Sequence, residues 1–303
     1  MDLVVFDRSE IVVVLRALAG VASANGTFTR AESDLVEGIG RLHGIMVEAE
    51  SLEPVSPEEV AAAVRDPHRR KRVVQLAVIA ALVEGLNEAG EHAVRDLARE
   101  LNVPGEDVEL LHDAVHHNLL FTRFDIVRRM RRFVGGGIGA LATFVAPFLG
   151  LGVDPSLAAR YRALGDLPQG TLGHALYAHY VEHGFHFPGE PDGIPERFVF
   201  HDVGHVLAGY GVDPPGEIQQ AAFQAGFVRN DGFLFLVFGI LQFHHGMRLT
   251  PVAKGEHGYF DVDKVLRAAA RGAACKIDLS DRFDLWAHAA ENVDDLRAKW
   301  GIA

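Results

Sequence analysis

The stretch Arg197-Phe198-Val199-Phe200-His201-Asp202-Val203-Gly204-His205-Val206-Leu207-Ala208-Gly209-Tyr210-Gly211-Val212-Asp213-Pro214-Pro215-Gly216-Glu217 decides how the chain is read. His201 and His205 are four residues apart, so on a helix they share one face, one turn apart. Asp202 is one step round from His201 and can lean toward the same point. Asp213-Pro214-Pro215-Gly216 cannot continue a helix, because proline lacks the N–H donor and clashes with the preceding turn. The chain must turn there, and Glu217 opens the next helix. A helix, a turn and a helix bring Glu217 back toward the two imidazoles. Two imidazoles and two carboxylates converging on one point make a site for zinc, or for another first-row divalent metal such as iron or manganese. The competing reading is an accidental polar cluster, since the chain holds 16 histidines. The flanks argue for the metal. Phe198, Val199, Phe200, Val203, Val206 and Leu207 are apolar, and burying four ionisable groups among them without a counter-charge is costly.

Outside this stretch the sequence reads as helical throughout. Residues 8 to 24 carry Ile11, Val14, Leu15, Leu18 and Val21 at spacings of three and four. Asn25-Gly26 ends that helix. Thr29 and Glu32 form a capping box for a second, and Ser56-Pro57-Glu58-Glu59 starts a third with serine as cap and proline in the first turn. Pro67 opens a long helix ending near Gly90, Glu91 to Leu101 is the next, and Pro104-Gly105-Glu106 opens a sixth. No stretch alternates with period two for long enough to form a sheet. The fold class is all-α, with two helical domains: residues 1–132, a glycine-rich apolar linker over 133–155, and 156–303.

The linker follows Arg128-Arg129-Met130-Arg131-Arg132. It opens on 21 uncharged residues, Phe133 to Val153, with six glycines and Pro147. The length suits a membrane span, but the glycines favour a hinge or a segment lying on a membrane surface, where the arginines would meet anionic head groups. Their alternative is a solvated helix face.

The chain has 303 residues, 49% of them hydrophobic and 23% charged, which suits two domains with proper cores. The net charge of −12 is shared. Lys and Arg number 16 against 22 Asp and Glu before residue 133, and 13 against 19 after it. Neither half is basic, so a nucleic-acid partner has no electrostatic support. Cys275 is the single cysteine, so no internal disulfide forms. Met1-Asp2-Leu3-Val4-Val5-Phe6-Asp7 carries acids where a signal peptide needs positive charge, so a cytoplasmic chain is expected, with peripheral contact at the inner membrane face.

In the second half, Gly170-Thr171-Leu172-Gly173 starts a helix through His183, with His174, His179, His183 and His186 clustered around it. His179 and His183 are four apart, but no carboxylate follows at a useful spacing, so a surface or supporting role is expected. After Glu217 a helix carries Ala221, Ala222, Phe223 and Ala225. Gly232 to Gly246 is strongly apolar, with Phe235 and Phe238 among its aromatics. It reads as buried core that could also wall a pocket for a long isoprenoid or acyl chain. His244-His245 end it, well placed as protonated groups at a helix C-terminus. Asp261 to Arg271 and Asp281 to Lys299 read as closing helices, with Trp286 and Trp300 as packing anchors.

His-Asp-x-x-His, eleven residues, then Glu resembles the hallmark of the coenzyme Q biosynthesis protein 4 family. Tyr161-Arg162 through Leu167-Pro168-Gln169-Gly170-Thr171-Leu172-Gly173 resembles that family's lead-in to its first long helix. Asn292-Val293-Asp294-Asp295-Leu296-Arg297-Ala298-Lys299-Trp300-Gly301-Ile302 resembles its closing segment. The likeness covers about residues 156 to 303. Where members of the family carry paired arginines before the motif, only Arg197 stands here. The resemblance implies a role in ubiquinone biosynthesis, in which a prenylated hydroxybenzoate ring loses its C1 carboxyl group and gains oxygen, a lyase-type step. His201, Asp202, His205 and Glu217 would hold the metal, Asp202 would carry the proton, Arg197 would meet the head group, and Phe235 and Phe238 would shelter the tail. The implied partners are a prenyl lipid or quinone precursor, other biosynthetic enzymes and a second copy of the chain as a homodimer.

The first half carries a fainter resemblance. Ala22 to Glu32 and Val83 to Glu91 repeat a plan of helix, glycine turn and capped helix. The pair resembles the tellurite-resistance TerB-like helical domain. Asn25 stands where that pattern has an acid, and Glu32 fits both the pattern and an ordinary capping box. Two other functions compete with the enzyme. One is a non-catalytic prenyl-lipid scaffold with a structural metal. The other is a metal-dependent phosphohydrolase suggested by His-Asp-Val-Gly-His, for which His183 or His186 and Asp231 or Asp261 would have to complete the ligand set.

Overall fold

The computed structural model describes residues 1–134, 153–250, 253–281 and 283–302. The described residues form fifteen α-helices and no strand; two isolated β-bridges, Thr171 with Asn292 and His245 with His257, are the extended pairings. Most of the apolar run considered for a membrane span or linker, residues 135–152, lies outside the described residues. Among the described residues no helix is long and apolar enough to cross a membrane.

The chain divides into two units. One comprises Asp2–Arg123 with Val237–Ala270. Its first six helices are Arg8–Ala22, Arg30–Leu42, Pro57–Ala63, Pro67–Leu82, Glu88–Glu100 and Glu106–Val115. The caps explain where they begin. Asp7 with Glu10, Thr29 with Glu32 and Ser56 with Glu59 each form a capping box, so two orphan N–H groups are satisfied reciprocally. Glu32 is buried, and its carboxylate accepts from the Thr29 N–H at 2.7 Å, which accounts for its position. The Pro67 helix ends at Leu82, short of Gly90.

His244 and His245 differ from the expectation of protonated rings at their own helix terminus. Their Nε2 atoms lie 2.8 Å from the Val83 carbonyl and 2.7 Å from the Leu82 carbonyl, so they satisfy the open end of the Pro67–Leu82 helix. Burial lowers the pKa of both, His245 to about 4, with the neighbouring His244 acting in the same direction. They serve as neutral N–H donors.

The other unit comprises Met1, Phe124–Leu236 and Arg271–Ala303. It contains the helices Pro155–Arg162, Leu172–His183, Val199–Ala208, Pro214–Phe227, Leu285–His288 and Val293–Trp300. The expected closing helix from Asp281 to Lys299 is two short helices instead. Asp284 accepts from the Trp286 N–H and Asn292 from the Asp294 N–H, so each caps its own helix and the segment between them turns. The two stretches that carry the family resemblance meet at that turn. Leu172 N–H donates to Glu291 O at 2.9 Å, Gly173 N–H to Ala289 O at 2.8 Å and Val293 N–H to Gly170 O at 2.9 Å. Gly173 permits the approach, because a Cβ there would stand 3.0 Å from the Ala289 carbonyl oxygen and closer still to Leu167 Cδ1, at 2.6 Å. Arg129 and Asp231 form a fully buried ion pair, with Nη2 to Oδ1 at 2.6 Å and Nε to Oδ2 at 3.1 Å. Trp300 is buried, whereas Trp286 is half-buried beneath the Arg160 guanidinium, 3.6 Å from its ring centroid.

Candidate metal centre

The motif lies on Val199–Ala208 and the helix that follows it. A short 3-10 turn, Glu196–Phe198, leads in and places Arg197 at the exposed start. Gly209, at φ 76°, adopts the left-handed conformation that closes the helix, and its N–H returns to the His205 carbonyl at 2.7 Å. Two arginines satisfy the remaining carbonyls at that end. Arg297 donates to Leu207 O at 2.7 Å and Val206 O at 3.1 Å, and Arg271 donates to Ala208 O at 2.6 Å. Asp213 caps the next helix by accepting from Gly216 N–H, Pro214 takes the first helical position, and Glu217 falls in the first turn. The turn thus folds Glu217 back onto the histidines.

His201 Nε2 lies 3.4 Å from Glu217 Oε2, His205 Nε2 lies 3.6 Å from Glu217 Oε1, and the two Nε2 atoms are 3.1 Å apart. One ligand atom from each of the three residues falls within 4.8 Å of the others. The opposite nitrogens are tied down. His201 Nδ1 is 2.9 Å from Gln224 Oε1, and His205 Nδ1 is 3.0 Å from the Tyr210 carbonyl. Partners of this kind fix the tautomer and the ring orientation of metal-binding histidines.

Asp202 takes a different place. It is buried and outside the three-residue cluster; its Oδ2 accepts a hydrogen bond from the Tyr180 hydroxyl. Burial raises the Asp202 pKa, against the opposing effects of His201 and the Tyr180 hydrogen bond. The Tyr180 pKa is also raised, by burial and then by the Asp202 charge.

Burial disfavours the charged forms of His201 and Glu217, yet their hydrogen bond and mutual attraction prevail. His201 is raised to about 9, and Glu217, which also feels His205, is lowered to about 2. His179 lies over the site, its ring stacked on His205 with centroids 5.6 Å apart and planes 25° apart. Burial, followed by the His205, His183 and His201 charges, lowers its pKa to about 4. Its Nε2 is buried and finds no hydrogen-bond partner among the described residues.

Phe235 is buried, with its ring 4.9 Å from Phe133 and 6.1 Å from Phe200, the residue before His201. Phe238 is half-buried. Of the residues a phosphohydrolase would need, His183 packs its ring on His179 with centroids 4.9 Å apart, and three are otherwise engaged. Asp231 is held by Arg129, Asp261 caps Lys264 N–H at 3.1 Å, and His186 faces Glu190 at 3.7 Å.

Several supporting residues were not anticipated. Gln220 donates to the His201 carbonyl at 3.1 Å, and Gln224 holds the His201 ring. Their signal was present, since Glu217, Gln220 and Gln224 fall at i, i+3 and i+7, a polar stripe on a helix whose one other polar side chain is Gln219. Tyr210 and Tyr180 carried no comparable spacing signal.

No family model matches the chain, and no curated protein sequence matches it. A solved structure of a Nostoc punctiforme protein named for ubiquinone biosynthesis is similar over 78% of this chain and 98% of that one, at 16% identity and a TM-score of 0.33. A likeness at that level fixes neither fold nor activity.

Proposed function

We propose that His201, His205 and Glu217 bind one divalent metal, zinc in the first instance and iron or manganese as alternatives, and that the site acts on the head group of a prenylated hydroxybenzoate in ubiquinone biosynthesis. One observation carries the metal. The Tyr210 carbonyl only accepts, so His205 Nδ1 bears the hydrogen, and Gln224 Oε1 sets the same tautomer for His201. In their neutral forms both Nε2 atoms then present bare lone pairs to each other at 3.1 Å and to the Glu217 carboxylate. A cation relieves that convergence, and a proton on His201 is the substitute when no metal is bound. Two nitrogens and one carboxylate are a donor set suited to zinc with positions left for water or substrate.

The substrate class rests on the motif and on the two flanking segments that resemble the coenzyme Q biosynthesis protein 4 family. When bound, the metal would polarise the oxygens of the ring head group. The protein would supply orientation and proton handling. Gln224 and the Tyr210 carbonyl hold the imidazoles, Asp202 Oδ2 with the Tyr180 hydroxyl forms a buried proton-holding pair beside them, and Arg197 at the exposed helix start faces an anionic head group. Phe200 and Phe235 make the adjoining side of the motif helix apolar, which suits a greasy tail. Exposed Leu120 and Phe121 support peripheral membrane contact.

Elemental analysis of the purified protein beside a His205→Ala/Glu217→Ala variant tests the metal. About one equivalent lost in the variant supports the site; equal metal content in both, or none in either, overturns it. Turnover of a prenylated hydroxybenzoate by the metal-loaded protein alone then separates an enzyme from a lipid-binding scaffold with a structural metal.

A further inference from the structure

The chain holds a second arrangement of two histidines and a glutamate, on the helices Glu88–Glu100 and Glu106–Val115. His112 and His116 are four apart. The His116 N–H still bonds to the His112 carbonyl at 3.0 Å, so helical spacing persists to the cap and both rings rise on one face, with centroids 4.3 Å apart. Glu91 lies opposite them on the neighbouring helix. Its side chain is 1% exposed, and its Oε1 sits 3.2 Å from His112 Nδ1. One ligand atom each from Glu91, His112 and His116 falls within 4.8 Å of the others. The His116 ring is exposed and, apart from its packing on His112, makes no side-chain hydrogen bond among the described residues.

We propose that Glu91, His112 and His116 form a second metal site of the zinc type, which clamps these two helices together and leaves positions open to water. The donor set, two imidazole nitrogens and a carboxylate, is that of a zinc or cobalt site rather than of calcium or magnesium, which take oxygen ligands. The buried carboxylate is the anchor, His112 is half-buried against it, and the exposed His116 imidazole is the entry side. His92, with Nε2 3.8 Å from Glu91 Oε2, stands next to it as a further nitrogen.

The structure also shows the competitor. Arg95 bonds to the same Glu91 Oε1 through Nε at 2.9 Å and through Nη2. The Arg95 side chain is 43% exposed and can swing into water when a metal arrives. The site therefore has a signature that distinguishes it from an ordinary ion-pair cluster: removing the arginine strengthens metal binding.

The test is titration of the full chain with Zn²⁺, and with Co²⁺ for its visible absorption, in a His201→Ala/His205→Ala background that leaves only the second site. One equivalent is expected. His116→Ala weakens it by more than about 100-fold, since losing a ligand costs more than losing a partner of a ligand. Arg95→Met tightens it by about tenfold, the equivalent of roughly 1.4 kcal/mol. If the background variant misfolds, the same substitutions are made in the otherwise unaltered chain, where the count should fall from two equivalents to one with His116→Ala. No binding in the background variant, an unchanged count with His116→Ala, or weaker binding with Arg95→Met each overturns the proposal.

Discussion

Gln220 lies across Gly204. Its amide nitrogen donates to the His201 carbonyl at 3.1 Å, and a Cβ on Gly204 would stand 2.0 Å from that nitrogen. The glycine inside His-Asp-Val-Gly-His thus lets the Glu217 helix cross close enough to bring its carboxylate to the imidazoles. Gly204→Ala forces the buried Gln220 side chain off the His201 carbonyl. The expected cost is on the order of 1–3 kcal/mol, that of a broken buried hydrogen bond with its donor left unpaired. Adding Gln220→Ala should recover part of it, because the clash disappears with the amide. Chemical denaturation of the two single variants and the double variant gives the coupling directly; strictly additive effects would sink the idea.

The charges at the centre give the metal-stripped protein a defined pH window. The His201 pKa, about 9, lies above its unfolded value of 6.5, so its contribution is complete below pH 6.5 and fades as pH rises through 9. The Glu217 pKa, about 2, lies below 4.5, so its contribution is complete above pH 4.5 and fades as pH falls through 2. Thermal unfolding with chelator present should therefore show the pair at full strength between pH 4.5 and 6.5, and His201→Ala should flatten the alkaline limb. Metal binding requires His201 unprotonated, so uptake below pH 9 releases a proton. Calorimetry of Zn²⁺ binding in buffers of different ionisation enthalpy measures that proton. Heats that do not vary with buffer would contradict the assignment.

Asp202 separates two versions of the centre. Its Oδ2 is engaged by Tyr180, and it stands outside the cluster of three. Asp202→Asn should therefore keep the metal of this centre while impairing any proton transfer during turnover, whereas His205→Ala should lose that equivalent. Tyr180→Phe should raise the Asp202 pKa further, since the hydroxyl now holds it down against burial. Metal content and a carboxyl NMR titration of these variants check both points. Loss of metal in Asp202→Asn would place that carboxylate among the ligands.

The helix-turn-helix that carries the centre was legible because its signals are local. A histidine pair at spacing four and a proline pair that stops a helix each act within one or two turns. The capping boxes at Thr29 and Ser56 were legible for the same reason. The position of Asp202 was not, because its partner Tyr180 comes from another helix and no spacing along the chain announces it. The roles of His244 and His245 were hidden in the same way, since they answer to carbonyls of Leu82 and Val83, more than 150 residues earlier. The break between Leu285–His288 and Val293–Trp300 depended on Asp284 and Asn292 acting as caps within a run whose composition suits a helix.

Gln224 offers the sharpest test of the tautomer argument. Its Oε1 accepts from His201 Nδ1 at 2.9 Å, which turns Nε2 toward Glu217. Gln224→Leu keeps a similar volume and removes the acceptor, so His201 is free to place its proton on Nε2 and its ring loses an anchor. Metal affinity should fall by about 10- to 100-fold, the usual cost of a lost partner to a metal-binding histidine. Gln224→Glu keeps an acceptor and should retain binding at least as tight as the unaltered protein. Competition for Zn²⁺ against a chelator of known affinity ranks the three proteins, and circular dichroism confirms that each is folded. If Gln224→Leu binds as tightly as the parent, the orientation of His201 does not depend on this hydrogen bond, and the convergence of lone pairs loses its structural cause.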